Sequence, residues 1–315
     1  GGVPVLVSSR RVAVLSAAAG VLLVAAAMIV PRVTGEDVKV HWPPLHADWD
    51  PRIGWLTVPA VLIGAAAVVL LPRWFERLRW GGVLGLGFAG TWIWTMALAM
   101  TEGSQGLARV FERPGEYVYD AQRVKAVGPM LRTFIDHIPI DSVDHWHTHV
   151  AGHPPGALLF FVLLDRIGIT DPFWIGVVVV TIGSTAIMAV LTTLRLLGSE
   201  AVARAAAPWI VLAPSAVWMG VNGDALFTAV SAWGLCLLAL ATTRRGRPAV
   251  AASLGSGLLL GLCIFLSYGL VLLGVLALTI LLFRRVWHPL PWAVLGALAV
   301  VAAFAAAGFA WWEAY

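Results

Sequence analysis

The stretch His145-Trp-His-Thr-His-Val-Ala-Gly-His-Pro-Pro-Gly156 is a polar island in an apolar chain, and the sequence on either side of it decides the fold. It gathers His145, His147, His149 and His153, half of the chain's 8 histidines, between a long polar segment and an abrupt return to apolar sequence at Ala157. The 315 residues are 60% hydrophobic and 12% charged, where a soluble domain carries about a quarter charged residues. Lipid must therefore surround most of the chain. Its apolar runs are long and do not alternate, so their backbone polar groups are satisfied within helices rather than in a barrel. The expected fold is an all-α polytopic membrane protein of about ten membrane helices, with an outer loop that carries amphipathic helices.

Apolar runs at 12–30, 53–71 and 81–100 precede the polar segment. Arg10 and Arg11 stand before the first, and Arg73, Arg77 and Arg79 follow the second. By the positive-inside rule the N-terminus is cytoplasmic and the loop at 31–52 is outside. Segment 101–153 then falls on the outer face, with Glu102, Glu112, Glu116, Asp120, Asp136, Asp141 and Asp144. Within it Val124, Val127, Met130, Leu131, Phe134 and Ile138 recur at helical spacing, which predicts one or two amphipathic helices over 119–138 along the membrane surface. Further runs follow at 157–169, 173–197, 205–221, 225–243, 249–283 (turning near Ser267-Tyr268-Gly269) and 291–312. Strict alternation would place Asp224 inside. Arg244, Arg245 and Arg247 instead fix the end of the 225–243 run in the cytoplasm, so Asp224 belongs outside. Either 157–169 or the proline-broken 205–221 is then too short to span. Sixteen tryptophans, many at run ends such as Trp42, Trp55, Trp74, Trp287 and Trp292, form an interfacial belt. Cys236 and Cys263 lie in apolar runs and offer no disulfide or zinc framework. The net charge of +4 marks topology and implies no nucleic-acid partner. The expected location is the plasma membrane.

Five constellations carry chemistry. In Gly115-Glu-Tyr-Val-Tyr-Asp120, Glu116 and Asp120 sit at a membrane mouth, where partial burial tunes a carboxylate into a general base. The alternative is a solvated loop acid, and the tyrosines argue for a packed loop. His145, His147 and His149 alternate, so an extended strand would turn all three to one face, suited to a metal; equally, they bond backbone and water at an interface. His153-Pro154-Pro155-Gly156 starts a helix whose N-terminus favours an anion, or it merely starts a helix. Asp224, in Asn222-Gly-Asp224, either caps a helix or is a functional acid at the membrane edge. Arg123 and Lys125, followed by Arg132, pair with the loop acids, hold a phosphate, or rest on anionic lipid.

The order of these features resembles the GT-C membrane glycosyltransferases, nearest to the protein O-mannosyltransferase-like and aminoarabinose-transferase-like branch. The likeness covers 101–243. His153-Pro154-Pro155-Gly156 stands where the family has His/Lys-Pro-Pro-Leu, and Gly115-Glu116 stands where it has Asp-Glu, with Tyr119 in register. The resemblance makes 1–80 a two-helix addition to a core at 81–315, and relatives often carry further helices or a soluble domain beyond such a core. It implies transfer of a sugar from a polyprenyl-phosphate donor to a cell-envelope glycan, lipid or protein acceptor on the outer face. Glu116 would be the base, Asp120 its rival and Asp224 the later acid. Arg123, Lys125, His149, His153 and Tyr119 would hold the donor. Many relatives use a divalent cation, Mg or Mn, for which His145, His147 and His149 are the candidates here. Two readings compete. Proline-broken helices at Pro208 and Pro214 suit a transporter or flippase of lipid or small solutes, and the missing first acid suits a catalytically degenerate partner in an envelope complex.

Overall fold

The computed structural model describes residues 10–35 and 53–314. Among these the chain is helical, without strands. Six helices are long and apolar enough to cross a membrane. The chain divides into two compact units between Arg52 and Ile53. In the first, α1 (Arg10–Thr34) has 25 residues, about 37 Å of helix and ample for a span. Most of the loop expected at 31–52, with Trp42, lies outside the described residues.

In the second unit α2 (Thr57–Arg77) and α3 (Trp80–Ala99) match the runs at 53–71 and 81–100. After them come the short α4 (Gln105–Ala108), α5 (Tyr117–Arg123), α6 (Val127–Thr133) and α7 (Thr148–Ala151). These are followed by α8 (Pro155–Arg166), α9 (Pro172–Ser184) and α10 (Ala186–Leu197). Asp171 caps α9, accepting from the backbone N–H of Phe173 at 2.9 Å, with Pro172 in the first turn. The chain continues through α11 (Glu200–Val211), α12 (Ala216–Met219), α13 (Asp224–Thr242), α14 (Arg247–Leu266), α15 (Leu273–Arg284) and α16 (Leu290–Ala306). Ser267 breaks the long apolar block, as expected, with extended backbone between α14 and a 3₁₀ turn at Tyr268–Leu272.

Among the described residues the six long helices are α1, α2, α3, α13, α14 and the pair α9–α10, which together make one 26-residue span over Pro172–Leu197. With the shorter apolar α15 and α16 they fall short of the expected count of about ten membrane segments. The difference lies where topology conflicted. α8 and α11 have 12 residues each, about 18 Å, against the ~30 Å of a hydrocarbon core. Both of the suspected segments fall short. α11 is tied to α2 instead: the Arg204 guanidinium donates to the carbonyls of Phe75 (2.6 Å) and Leu78 (2.8 Å), at the end of α2 where no intrahelical donors remain.

Of the one or two amphipathic helices expected over 119–138 the structure has two, α5 and α6. Val124 and Ala126 are extended between α5 and α6. Pro129 is the cause: its ring and missing N–H are tolerated in a first turn but not mid-helix, so the chain must restart just before it. The polar segment does not simply lie on the surface. Leu107, Phe111, Tyr117, Val118 and Phe134 are buried with Phe161 of α8, Phe265 of α14 and Phe309 in one aromatic core. Beneath it α14 and α16 approach backbone to backbone. A Cβ on Gly257 would stand 2.0 Å from the Ala293 carbonyl oxygen, and one on Gly261 2.8 Å from the Ala297 Cα. Small residues permit this contact, which replaces hydrophobic driving force between lipid-embedded helices.

Candidate functional site

The site is built around Tyr117. Its ring is buried, stacked on Phe161 of α8 at 5.1 Å between centroids and 5° between planes. Three segments meet on it. Glu116 precedes α5 with extended backbone and makes no side-chain cap, so its carboxylate is free to turn elsewhere. The backbone N–H of His149 donates to the Gly115 carbonyl at 3.1 Å, which fastens α7 beside that carboxylate. His149 Nε2 then lies 3.2 Å from Glu116 Oε1. His153, at the end of the same segment, places its ring 5.9 Å from Tyr117 and 6.2 Å from His149, nearly parallel to the latter. The third segment is the head of α13: a Cβ on Gly223 would stand 3.2 Å from the Tyr117 ring, so Asp224 arrives beside the same group.

The electrostatics follow from this packing. Burial pushes the Glu116 carboxyl above the usual carboxylate range; His149 and Arg113 oppose the shift and Asp224 adds to it. The Tyr117 phenol is also pushed up, by burial and then by Glu116 and Asp224. Burial holds His153 below the ordinary imidazole value. The His149 carbonyl, bonded to Nδ1, works against that shift, the His149 ring adds to it, and Asp224 opposes it. A carbonyl oxygen only accepts, so Nδ1 of His153 carries the proton, at 2.8 Å. The neutral ring leaves the Nε2 lone pair unshared. A carboxylate raised by burial, with one imidazole at 3.2 Å and a second, neutral one stacked beyond it, is a group able to remove and relay a proton.

Asp120 lies apart from this group. It is fully buried, and both oxygens face His147: Oδ2 accepts from the backbone N–H at 3.0 Å and Oδ1 faces Nδ1 at 2.9 Å. Arg123 stands 3.7 Å from Oδ1. Such a carboxylate fixes the tautomer and aim of a histidine; it does not meet a hydroxyl from outside. His147 in turn leans edge-on against Tyr119 at 4.9 Å, with His145 6.2 Å away. Arg123 covers the Tyr119 ring at 5.5 Å and reaches Asp144 at 3.8 Å. It also lines, with Lys125, His137, Asp144 and Trp146, an open cleft of about 440 Å³.

Two expectations change here. The alternating histidines do not share a face, because α7 begins at Thr148 and ends the extended backbone. His147 turns to Asp120 and His149 to Glu116, and among the described residues no three His, Cys, Asp or Glu converge to hold a metal. The donor set thus does not fit the divalent cation that the resemblance implies. The start of α8 is not open to an anion: Pro154, Pro155 and Gly156 are buried. A Cβ on Gly156 would stand 2.4 Å from the Phe265 carbonyl oxygen. Position 156 admits only Gly in this packing.

Of the candidate residues, the structure brings Glu116, His149, His153 and Asp224 together, and sets Asp120, Tyr119, Arg123 and Lys125 with His147 in a neighbouring group. Sequence reading missed Tyr117 and Arg113. Tyr117 was visible as the residue following Glu116, but nothing local showed that it, rather than Tyr119, is the buried one. No family model matches the chain, and no curated protein or solved structure is significantly similar to it.

Proposed function

We propose that the chain is a membrane glycosyltransferase that moves a sugar from a polyprenyl-phosphate donor to an acceptor hydroxyl on the outer face of the plasma membrane. The observation that carries the reading is the Glu116 carboxylate, raised by burial and braced by His149, beside Asp224 at the head of a long apolar helix. Glu116 accepts the acceptor hydroxyl proton as that oxygen bonds to the anomeric carbon. The bond from that carbon to the phosphate oxygen breaks, and the electron pair leaves with the polyprenyl phosphate. Arg123 and Lys125 stabilise the charge that gathers on the phosphate, from the cleft that they line. With the α8 N-terminus buried, side chains take this role. His153 offers Nε2 as an acceptor for a sugar or acceptor hydroxyl.

The test is transfer of radiolabel from a polyprenyl-phosphate sugar by purified protein in detergent. Label in a water-soluble or lipid acceptor, lost in Glu116→Gln, is the expected result. No transfer and no donor hydrolysis, with Glu116→Gln and Asp120→Asn indistinguishable from the parent, would remove the enzyme reading.

A further inference from the structure

The opposite end of the bundle holds a second cleft that the transfer reaction does not use. α13 has 19 residues, so its C-terminal end lies about 28 Å along the helix from Asp224. There a cleft of about 670 Å³ opens between the ends of α13 and α15 and the starts of α14 and α16. Arg244, Arg245, Arg284 and His288 line it, with Trp292 at its rim. Among the described residues no acid neutralises these cations: residues 225–312 contain no Asp or Glu, and none of the ion pairs involves them. The Arg284 Nε is buried and has no hydrogen-bond partner, a cost that a native structure does not carry without an acceptor. The starts of α14 and α16 and the ends of α13 and α15 meet here, so their dipoles offset one another and the side chains carry the positive charge.

A second observation separates a lipid from a free anion. One turn deeper on the same helices begins a groove of about 250 Å³, lined only by apolar residues, among them Leu238, Ala277, Leu281 and Val294. Leu281 stands three residues before Arg284 and Leu238 four before Thr242, so groove and cleft share helix faces. We infer that this end binds one anionic phospholipid, its phosphodiester held by Arg244 and Arg284 and an acyl chain lying in the groove between α14, α15 and α16. The charge pattern assigns this end to the cytoplasmic side, where anionic headgroups meet basic pockets between membrane helices.

The experiment uses the full chain purified in a neutral detergent, with thermal unfolding and native mass spectrometry as readouts. Phosphatidylglycerol is expected to raise the unfolding temperature and to leave a one-lipid adduct. Phosphatidylcholine, which is zwitterionic, and sn-glycerol 3-phosphate, which lacks a chain, are expected to do neither. The pair Arg244→Gln and Arg284→Gln should weaken the adduct by about tenfold or more, two headgroup contacts being removed. The pair Arg77→Gln and Arg79→Gln, remote from the cleft, should leave it unchanged. Ala277→Phe, which fills the groove, should weaken dioleoyl but not dihexanoyl phosphatidylglycerol. Equal effects of phosphatidylcholine would overturn the site, as would an adduct that survives in the double variant. An equal shift from glycerol phosphate would overturn the lipid as its occupant. If the variants fail to fold, the comparison of the three ligands on the parent decides alone.

Discussion

At the scale of single residues, two acids that the sequence leaves as rivals separate by what they touch. Asp120 has no exposed surface and spends both oxygens on His147, whereas Glu116 keeps 14% of its side chain exposed and faces a histidine. Glu116→Gln is therefore expected to lower transfer by about 10²–10⁴-fold, the usual worth of a positioned base, measured as initial rate with labelled donor. Asp120→Asn keeps one accepting oxygen but sets an amide against His147 Nδ1. It should cost stability, about 1–3 kcal/mol for a buried hydrogen-bonded group, more than it costs rate, so melting and rate together distinguish the roles. The pH profile carries a sharper test. Glu116 works as a base only when ionised, so kcat/KM rises with pH through its raised pKa. Removing a charge that lowers this pKa shifts the rise to higher pH, and removing one that raises it does the opposite. His149→Ala should thus move the acidic limb up and Asp224→Asn should move it down. Parallel shifts would take the base role from Glu116. The same pKa has a stability sign: a carboxyl raised in the folded state favours folding while protonated, and that contribution is lost as pH rises through the folded value.

At the scale of elements, the sequence is legible where the cause is local and opaque where it is distant. Pro155 heads α8 as its proline signal requires, the Ser267 break is real, and Asp224 opens α13. Of the one or two amphipathic helices expected over 119–138 there are two: six apolar residues keep the period while Pro129 forbids continuity. Other features have no local sign. Gly156 is fixed by Phe265, which is far along the chain, and the Gly257 and Gly261 spacing matters only because Ala293 and Ala297 lie across from it. The paired histidines needed the fold to show that each serves a different carboxylate. A prediction belongs here. Gly156→Ala sets a Cβ against a backbone carbonyl that cannot rotate away, so α8 or α14 must shift, at about 1–3 kcal/mol. Gly274→Ala, in α15 with nothing within 4 Å, should be neutral or slightly stabilising. Thermal unfolding of the two variants side by side reads the difference. If Gly156→Ala melts with the parent, the close approach of α8 and α14 is wrong.

At the scale of the whole molecule, charge and strict alternation give opposite answers for the side on which Asp224 lies, and helix length does not reconcile them. A 12-residue α8 and a 12-residue α11 both fall short of a span, but two lost crossings leave parity unchanged, so only the arginines at the foot of α13 place Asp224 outside. What remains is α13, apolar over 19 residues, with the Tyr117 group at its head and arginines at its foot. If α13 crosses the membrane, the two ends are on opposite sides, and the arginine end is cytoplasmic. Val143 is exposed in the loop beside Asp144, whose carboxylate meets Arg123 at the site, and Thr243 is exposed just past the end of α13. Both native cysteines are buried, so a new surface thiol dominates labelling. In intact cells Val143→Cys should react with a membrane-impermeant maleimide, and Thr243→Cys should react only after permeabilisation. Labelling of both without permeabilisation would place the arginine cleft on the outer face. It would put the base and the basic cleft in one compartment and sink the cytoplasmic lipid site, whereas a Val143→Cys that reacts only after permeabilisation would sink the outward-facing transfer site.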